Sequence, residues 1–247
     1  MTPQRLDAPE PGLYALLNRA RFLLLDFDGP VCRLFGGSPA ADIARRMRDF
    51  LAGRGLLPAG QRHDRNPALA AGTDPHWLLA RPWDRGTHAV LEGLLALGEQ
   101  EAAASAVPTP GADVFVRAVA DSGRMLAITT NNALAAVETY LKNHDLEGCF
   151  NGRVFGRDPD DPARMKPDPD CLLRAMTAME AAPEDCLAIG DSPRDAVAAL
   201  AAGVPFLGYA RSEDRVARLR DVGPYPVVVG TADLVVAAGK LDWAGGP

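Results

Sequence analysis

Phe22-Leu23-Leu24-Leu25-Asp26-Phe27-Asp28-Gly29-Pro30 is a short apolar run that ends in two carboxylates one residue apart. A run this short, bounded by polar and turn residues, reads as a fully buried strand of the kind found inside a parallel sheet. In an open α/β sheet, ligands bind in the crevice beyond the carboxyl ends of the strands, so Asp26 and Asp28 are expected there. If the strand geometry runs on through them, both side chains leave on one side, because side-chain direction repeats every second residue. Gly29 then permits a turn and a close approach of backbone to ligand. Two such carboxylates are costly unless a cation neutralises them, and a hard divalent ion such as Mg²⁺ does so through oxygen ligands. The plainer reading of any single Asp-x-Asp is a turn residue followed by a helix cap. The rest of the chain decides between them.

A chain of 247 residues has room for one large α/β domain, or for a smaller core carrying an inserted domain. Hydrophobic residues at 47% and charged residues at 23% are ordinary globular values, which exclude wholesale disorder and a fibrous class. A net charge of −6 argues against a nucleic-acid partner, since that binding relies on clustered cations neutralising phosphates. A small substrate is expected instead. Residues 33–106 hold nine Arg against eight Asp and Glu, so this stretch is slightly positive within an acidic chain, a weak bias toward anionic substrates. Cys32, Cys149, Cys171 and Cys186 form no Cys-x-x-Cys pair and have no His at zinc-finger spacing, which fits reduced thiols and a cytoplasmic location. Met1–Pro11 has no apolar signal core, and no stretch approaches about 18 uninterrupted apolar residues, so neither secretion nor membrane contact is expected.

Outward from the first strand, a helix is expected near Pro11–Ala20, and from about residue 36 to 106 helices replace strands. Ser38 reads as the N-cap of a helix over Pro39–Gly53, and Gly55–Thr73 reads as loop. Asp74 caps a short helix through Leu79, and Thr87–Ala104 is an Ala- and Leu-rich helix. From Thr109 onward helices alternate with short apolar strands, the signature of a parallel sheet covered on both faces. The expected strands are Met125–Thr130, Arg153–Gly156, Cys186–Asp191, Val204–Tyr209 and Val227–Val229. The helices between and after them are 111–122, 133–143, 169–181, 193–202, 212–221 and 231–239, with a loose tail from Trp243. The fold class is therefore α/β: a Rossmann-like parallel core over 1–35 and 108–247, with a helical cap domain inserted at 36–107.

Other strand ends also carry polar groups. Leu126-Ala127-Ile128-Thr129-Thr130-Asn131-Asn132 ends in hydroxyl and amide groups, where Thr130 and the backbone N–H groups around Asn131 suit phosphate oxygens at the head of a helix. The competing reading is an Asn that caps that helix. Lys166, one of only three lysines, sits in Met165-Lys166-Pro167-Asp168-Pro169, where prolines stiffen its approach. A rigidly presented ammonium there balances both a phosphate and a carboxylate nucleophile. Leu187-Ala188-Ile189-Gly190-Asp191-Ser192-Pro193-Arg194-Asp195 is a strand, a Gly and two carboxylates at the head of a helix. Ser192 and Asp195 have capping-box spacing, with Pro193 at the favoured first helical position, so Asp195 has a structural reading of its own. Asp191 ends its strand as Asp26 does.

Asp-x-Asp-Gly, Thr-Asn, Lys-Pro and Gly-Asp-x-x-x-Asp, in that order, resemble the haloacid dehalogenase superfamily, in its members with a helical cap inserted after the first strand. The resemblance covers about residues 21–210. It implies a phosphoric monoester hydrolase in which Asp26 is the nucleophile, Asp28 the general acid and base, and Thr130 and Asn131 hold the phosphate. It further implies that Lys166 balances charge and that Mg²⁺ is bound by the Asp26 carboxylate, the Asp28 backbone carbonyl and Asp191, with Asp195 supporting the metal or its waters. The partner implied is a small phosphorylated metabolite, with monomer and homodimer both open. Pro30 stands where Thr or Val often follows Asp-x-Asp-Gly, and the usual downstream Asp-Ser is absent, which leaves the substrate subfamily open. Within the family, Asp28 argues against a dehalogenase, and the lack of any Lys between Gly29 and Gly111 argues against phosphonoacetaldehyde hydrolase. A phosphomutase on the same core and a non-catalytic phosphate-binding or interaction protein remain as alternatives. Arg33, Arg45, Arg81, Arg85, His76, Trp77 and Trp83 are the candidates for substrate contacts from the insertion, each with a competing reading as packing or solvated charge.

Overall fold

A computed structural model describes residues 11–36, 40–56 and 74–243. Ser38 and most of the Gly55–Thr73 loop lie outside the described residues, as does the N-terminal segment 1–10. The first strand is β1 (Phe22–Leu25), preceded by helix α1 (Pro11–Arg19). It lies near the middle of a six-stranded sheet made with β4 (Met125–Thr129), β5 (Val154–Phe155), β6 (Cys186–Gly190), β7 (Phe206–Ala210) and β8 (Val227–Val229). The strand order is β5-β4-β1-β6-β7-β8, and every pairing is parallel. β1 pairs with β4 on one side and β6 on the other, so the strand ends carrying Asp26, Thr130 and Asp191 are neighbours.

Strand alternation sorts the core. Leu23, Leu25, Leu126, Ile128, Leu187 and Ile189 enter one apolar layer, whereas Phe22, Leu24, Ala127, Cys186 and Ala188 enter the layer on the opposite face. Phe27 continues the first set and packs edge-on against Tyr140, with ring centroids 5.3 Å apart. Asp26 and Asp28, one residue to either side, have the opposite parity, as the sequence reading expects.

Among the described residues, the helical insertion contains α2 (Ala40–Gly53), α3 (Pro75–Leu79) and α4 (Arg85–Ala103). Asp74 caps α3 by accepting from the N–H groups of His76 and Trp77. Asp84 does the same for α4, which therefore starts two residues before the Thr87 expected from sequence. Ile43, Met47, Leu51, Leu78, Leu79, Leu91 and Leu95 form a separate apolar cluster that also takes in Met165.

Two strands, β2 (Cys32–Arg33) and β3 (Val107–Pro108), pair antiparallel where the chain enters and leaves the insertion. Two residues each carry no period-two pattern, so this ribbon is invisible to sequence periodicity. The remaining helices are α5 (Ala112–Asp121), α6 (Leu134–Asn143), α7 (Glu147–Phe150), α8 (Asp170–Ala178), α9 (Pro193–Ala201), α10 (Glu213–Arg220) and α11 (Ala232–Ala238). β7 begins two residues later than the expected Val204. The Val204 N–H bonds to Ala199 O in closing α9, and Pro205 has no N–H to offer. All four cysteines are unbridged.

Candidate active site

Asp26 lies just past β1, anchored by its backbone N–H to Ile189 O at 2.8 Å. Asp191 lies just past β6, and Asp195 in the first turn of α9. One carboxylate oxygen from each of these residues falls within 4.8 Å of the others. Two glycines make this crowding possible. A Cβ on Gly29, whose φ is +137°, would stand 2.6 Å from the Asp191 carboxyl carbon, and one on Gly190 would stand 2.4 Å from Asp195 Cβ. Lys166 Nζ reaches into the cluster, donating to Asp26 Oδ1 at 2.9 Å and to Asp195 Oδ1 at 2.5 Å.

One ammonium does not balance three carboxylates. Burial and the neighbouring Asp195 push the Asp26 carboxyl up to about 8, although Lys166 opposes them. Burial and Asp195 likewise push Asp191 up to about 7. Burial alone would lower the Lys166 pKa, but Asp195 and Asp26 raise it above its ordinary value, so it stays charged.

Asp28 stands apart from the triad. Its Oδ1 accepts from the Leu34 N–H at 3.0 Å, and burial raises its pKa. Arg211, just past β7, bridges the two groups: Nη2 lies 3.4 Å from Asp191 Oδ2 and 3.8 Å from Asp28 Oδ1. Its buried Nε has no partner among the described residues. No sequence motif marked Arg211, because nothing before the fold places the end of β7 beside β6.

Asp195 is both a cluster member and a cap. Ser192 and Asp195 form the capping box expected from their spacing, with Ser192 N and Oγ donating to Asp195 Oδ2 at 3.0 and 2.6 Å. Its two oxygens thus divide the work: Oδ2 starts α9 and Oδ1 faces Lys166.

The Thr130–Asn132 turn is organised differently from a simple helix cap. The Asn131 side chain is committed to Lys166, accepting from Lys166 N at 2.7 Å and donating to Lys166 O at 3.1 Å. That leaves its backbone N–H, rather than its amide group, for a ligand. Thr130 Oγ1 donates to Asn132 Oδ1 at 2.9 Å and accepts from Asn132 N at 3.2 Å. The N-cap of α6 is Ala133, which has no capping side chain of its own. The acceptor comes from the insertion: Glu99 Oε2 takes the Ala133 N–H at 2.9 Å.

Glu99 is fully buried, and sequence reading did not single it out. Its signal was present, since it continues the buried Leu91–Leu95 stripe of α4 ahead of Ala102 and Ala103. A charged residue on an apolar stripe needs a partner. It has several, of which the shortest contact is to Arg157 Nη1 at 2.7 Å.

Asp26, Asp28, Thr130, Asn131, Lys166 and Asp195 border one cleft of about 660 Å³, whose other wall includes Asp74, Pro75 and His76 from the insertion. Of the seven substrate-contact candidates in the insertion, His76 alone borders this cleft among the described residues. Arg81 lies over the rings of Trp77 and Trp83, and Arg45 pairs with Asp42 and Asp49 on the surface.

The chain has counterparts among known proteins. The family model of haloacid dehalogenase-like hydrolases matches residues 23–203, and the chain belongs to that family. A phosphoglycolate phosphatase from Xylella fastidiosa is 29% identical over 202 residues, 78% of this chain and 83% of that protein. One from Rhodospirillum rubrum is 33% identical over 138 residues, 55% of this chain and 56% of that protein. These similarities make the chain a phosphatase-like member of the family. Among solved structures, a hydrolase from Pseudomonas syringae superposes with a TM-score of 0.63 at 20% identity, covering 87% of this chain and 95% of that one. A family hydrolase from Deinococcus radiodurans, determined with bound phosphate and sodium, gives 0.56 at 25% identity, covering 91% and 98%. Among the described residues no helix is long and apolar enough to cross a membrane.

Proposed function

We propose that the protein hydrolyses a small phosphate monoester through an aspartyl-phosphate on Asp26, with Mg²⁺ as cofactor. The observation that carries this reading is the convergence of Lys166 on Asp26 at 2.9 Å, inside a set of three carboxylates of which Asp26 and Asp195 border the same cleft as the Thr130 turn. Residues 1–35 and 108–247 would form the catalytic core, with 36–107 as a cap that shields the cleft and selects the substrate.

The residues present fit a hard divalent cation. The clustered donors are all carboxylate oxygens, and burial and the neighbouring Asp195 raise the pKa values of Asp26 and Asp191 despite Lys166 and Arg211. Asp26, Asp191 and Asp195 would hold the ion, together with the Asp28 backbone carbonyl that the family resemblance implies. When bound, it offsets the repulsion between these carboxylates and a phosphate dianion.

In the first step a carboxylate oxygen of Asp26 attacks phosphorus. The Asp26 O–P bond forms, the bond from phosphorus to the leaving oxygen breaks, and Asp28 gives that oxygen its proton. The raised pKa of Asp28 suits it to carry this proton. In the second step Asp28 takes a proton from water as the water oxygen attacks phosphorus, and the Asp26 O–P bond breaks. The backbone N–H groups around Asn131 bind phosphate oxygens, joined by the Thr130 hydroxyl when it turns its proton from Asn132 Oδ1 to the ligand, and Lys166 offsets charge on Asp26 and the phosphoryl group.

The alcohol released is a small metabolite, and the named relatives make phosphoglycolate the first compound to assay. A cytoplasmic location and the lack of nucleic-acid or membrane partners belong to the same proposal. The test is turnover of p-nitrophenyl phosphate and a panel of phosphorylated metabolites, with and without Mg²⁺, with intact-mass detection of the phosphoenzyme. Metal-dependent turnover with phosphate trapped on Asp26 is the expected result. No turnover of any monoester, or phosphate on another residue, overturns it.

A further inference from the structure

We propose that Glu99 is a positioning residue that locks the phosphate-binding turn and the insertion's His76 into one buried network, so that the two are ordered together. The inference rests on the phosphate-binding role of the Thr130 turn given above.

The Glu99 carboxylate is saturated. Oε1 accepts from His76 Nε2 and from Asn132 Nδ2, each at 3.0 Å. Oε2 accepts from Ala133 N at 2.9 Å and from Arg157 Nη1 at 2.7 Å. Four donors meet the roughly four lone-pair sites of a carboxylate. Hydrogen bonds from His76 and Arg157 overcome the cost of burial and hold the carboxyl down to about 2, so it only accepts.

That fixes the orientation of Asn132. Its NH₂ must face Glu99, which turns Oδ1 toward Thr130, where it receives the hydroxyl proton. Glu99 therefore acts on Thr130 through Asn132 without touching a ligand. Arg157 reinforces the same turn: Nη1 donates to Asn131 O at 3.0 Å, its backbone N–H donates to Asn132 O at 3.2 Å, and Glu92 holds the far side of the guanidinium in a bidentate pair. A Cβ on Gly156, just before Arg157, would stand 2.7 Å from Asn132 O, so the close approach of this strand end requires glycine.

His76 is the second arm. With Nε2 donating to Glu99 it presents its remaining edge to the cleft bordered by Asp28 and Thr130. His76 lies on α3, Glu99 on α4, and Asn132 and Ala133 on the core turn. One carboxylate thus joins the insertion's wall of the cleft to the Thr130 turn. Displacing the insertion would leave Asn132 Nδ2 and Ala133 N without their acceptor and release the turn from its fixed arrangement.

The test uses the full-length protein and inorganic phosphate as probe, with affinity read by calorimetry in the presence of Mg²⁺ and kcat and KM read with p-nitrophenyl phosphate. Glu99→Gln keeps the shape and removes the charge, and it is expected to weaken phosphate binding about tenfold while still melting cooperatively. His76→Ala and Asn132→Ala each remove a donor to the same Glu99 Oε1, so their effects on phosphate affinity are expected to be non-additive in a double-mutant cycle. Phosphate affinity within about twofold of wild type in a folded Glu99→Gln protein overturns the proposal. So do strictly multiplicative effects of His76→Ala and Asn132→Ala, which decide the matter even if Glu99→Gln does not fold. Wild-type protein that binds phosphate but turns over no monoester removes the hydrolytic reading while leaving this network to be judged on binding. Wild-type protein that binds no phosphate removes both.

Discussion

Two buried clusters of acidic residues lie at opposite ends of the Thr130 turn, and the protein treats them in opposite ways. Around Glu99, every carboxylate oxygen meets a donor, the Arg157 guanidinium supplies balancing charge, His76 adds a hydrogen bond, and the carboxyl is held down to about 2. At Asp26 and Asp191 the same residue chemistry is left short of cations, and the carboxyls rise to about 8 and about 7. Structural charges are satisfied within the chain, because an unpaired buried ion costs several kcal/mol. A site that must receive a cation and a phosphate keeps its charge unsatisfied until they arrive. On the proposed function, the contrast separates a cluster built to hold from one built to bind.

The largest expected effect breaks the binding cluster at its centre. Asp26→Asn removes the proposed nucleophile, so turnover should fall by at least about 10⁴-fold and the proposed phosphoenzyme should be absent from intact-mass spectra, while circular dichroism shows a folded chain. Chelation of the wild type should have the same effect on turnover and be reversed by added Mg²⁺. Normal turnover in either case would show that the unsatisfied charge at this site has nothing to do with catalysis.

Asp28 tests the division of labour beside that centre. Asp28→Asn removes the proposed proton donor but leaves the proposed nucleophile, so alkyl phosphates should lose about 10²- to 10⁴-fold in kcat. p-Nitrophenyl phosphate should lose far less, because its leaving phenolate needs little protonation. Equal losses for both substrates would assign Asp28 to binding instead.

The satisfied cluster is read best through pH. The Glu99 carboxyl sits at about 2, below its ordinary 4.5, so the folded state favours the ionised form. Its contribution is fully present above the ordinary value and is lost as pH falls toward 2. Wild type should therefore exceed Glu99→Gln by about 3 kcal/mol in denaturant unfolding near pH 7, a gap that narrows as pH falls below about 4.5. A gap that does not change with pH would show that the variant loses packing rather than charge.

The binding cluster was the legible part of this protein. Its residues stand at the ends of apolar strands, and both the strand signal and the carboxylate that breaks it are local in sequence. Parallel strands then bring Asp26, Thr130 and Asp191 together by topology alone. The satisfied cluster was not legible, because Glu99, Arg157 and Asn132 are joined only once α4 lies on the core turn. Glu99 announced a need for a partner by occupying an apolar stripe, but no spacing named which partner. Arg211 was hidden for the same reason: its neighbours Asp28 and Asp191 reach it through the order of β1, β6 and β7. The β2–β3 ribbon was missed on length, since two-residue strands leave no periodic trace.

Asp195 belongs to both regimes, and the smallest expected effect separates them. Its Oδ2 is held by Ser192 in a capping box, while its Oδ1 meets Lys166. Ser192→Ala removes the hydroxyl that caps α9, which should cost about 1 kcal/mol in unfolding free energy. The Asp195 charge and the Lys166 contact survive that change, so the Mg²⁺ concentration for half-maximal activity should move by less than about threefold, or about 0.7 kcal/mol. Asp191→Asn, which removes a clustered charge and no cap, should raise that concentration far more and cost little stability. If Ser192→Ala instead weakens Mg²⁺ activation as much as Asp191→Asn, the helix start is itself part of the cation site. The boundary between holding and binding would then run through Ser192 rather than between the two oxygens of Asp195.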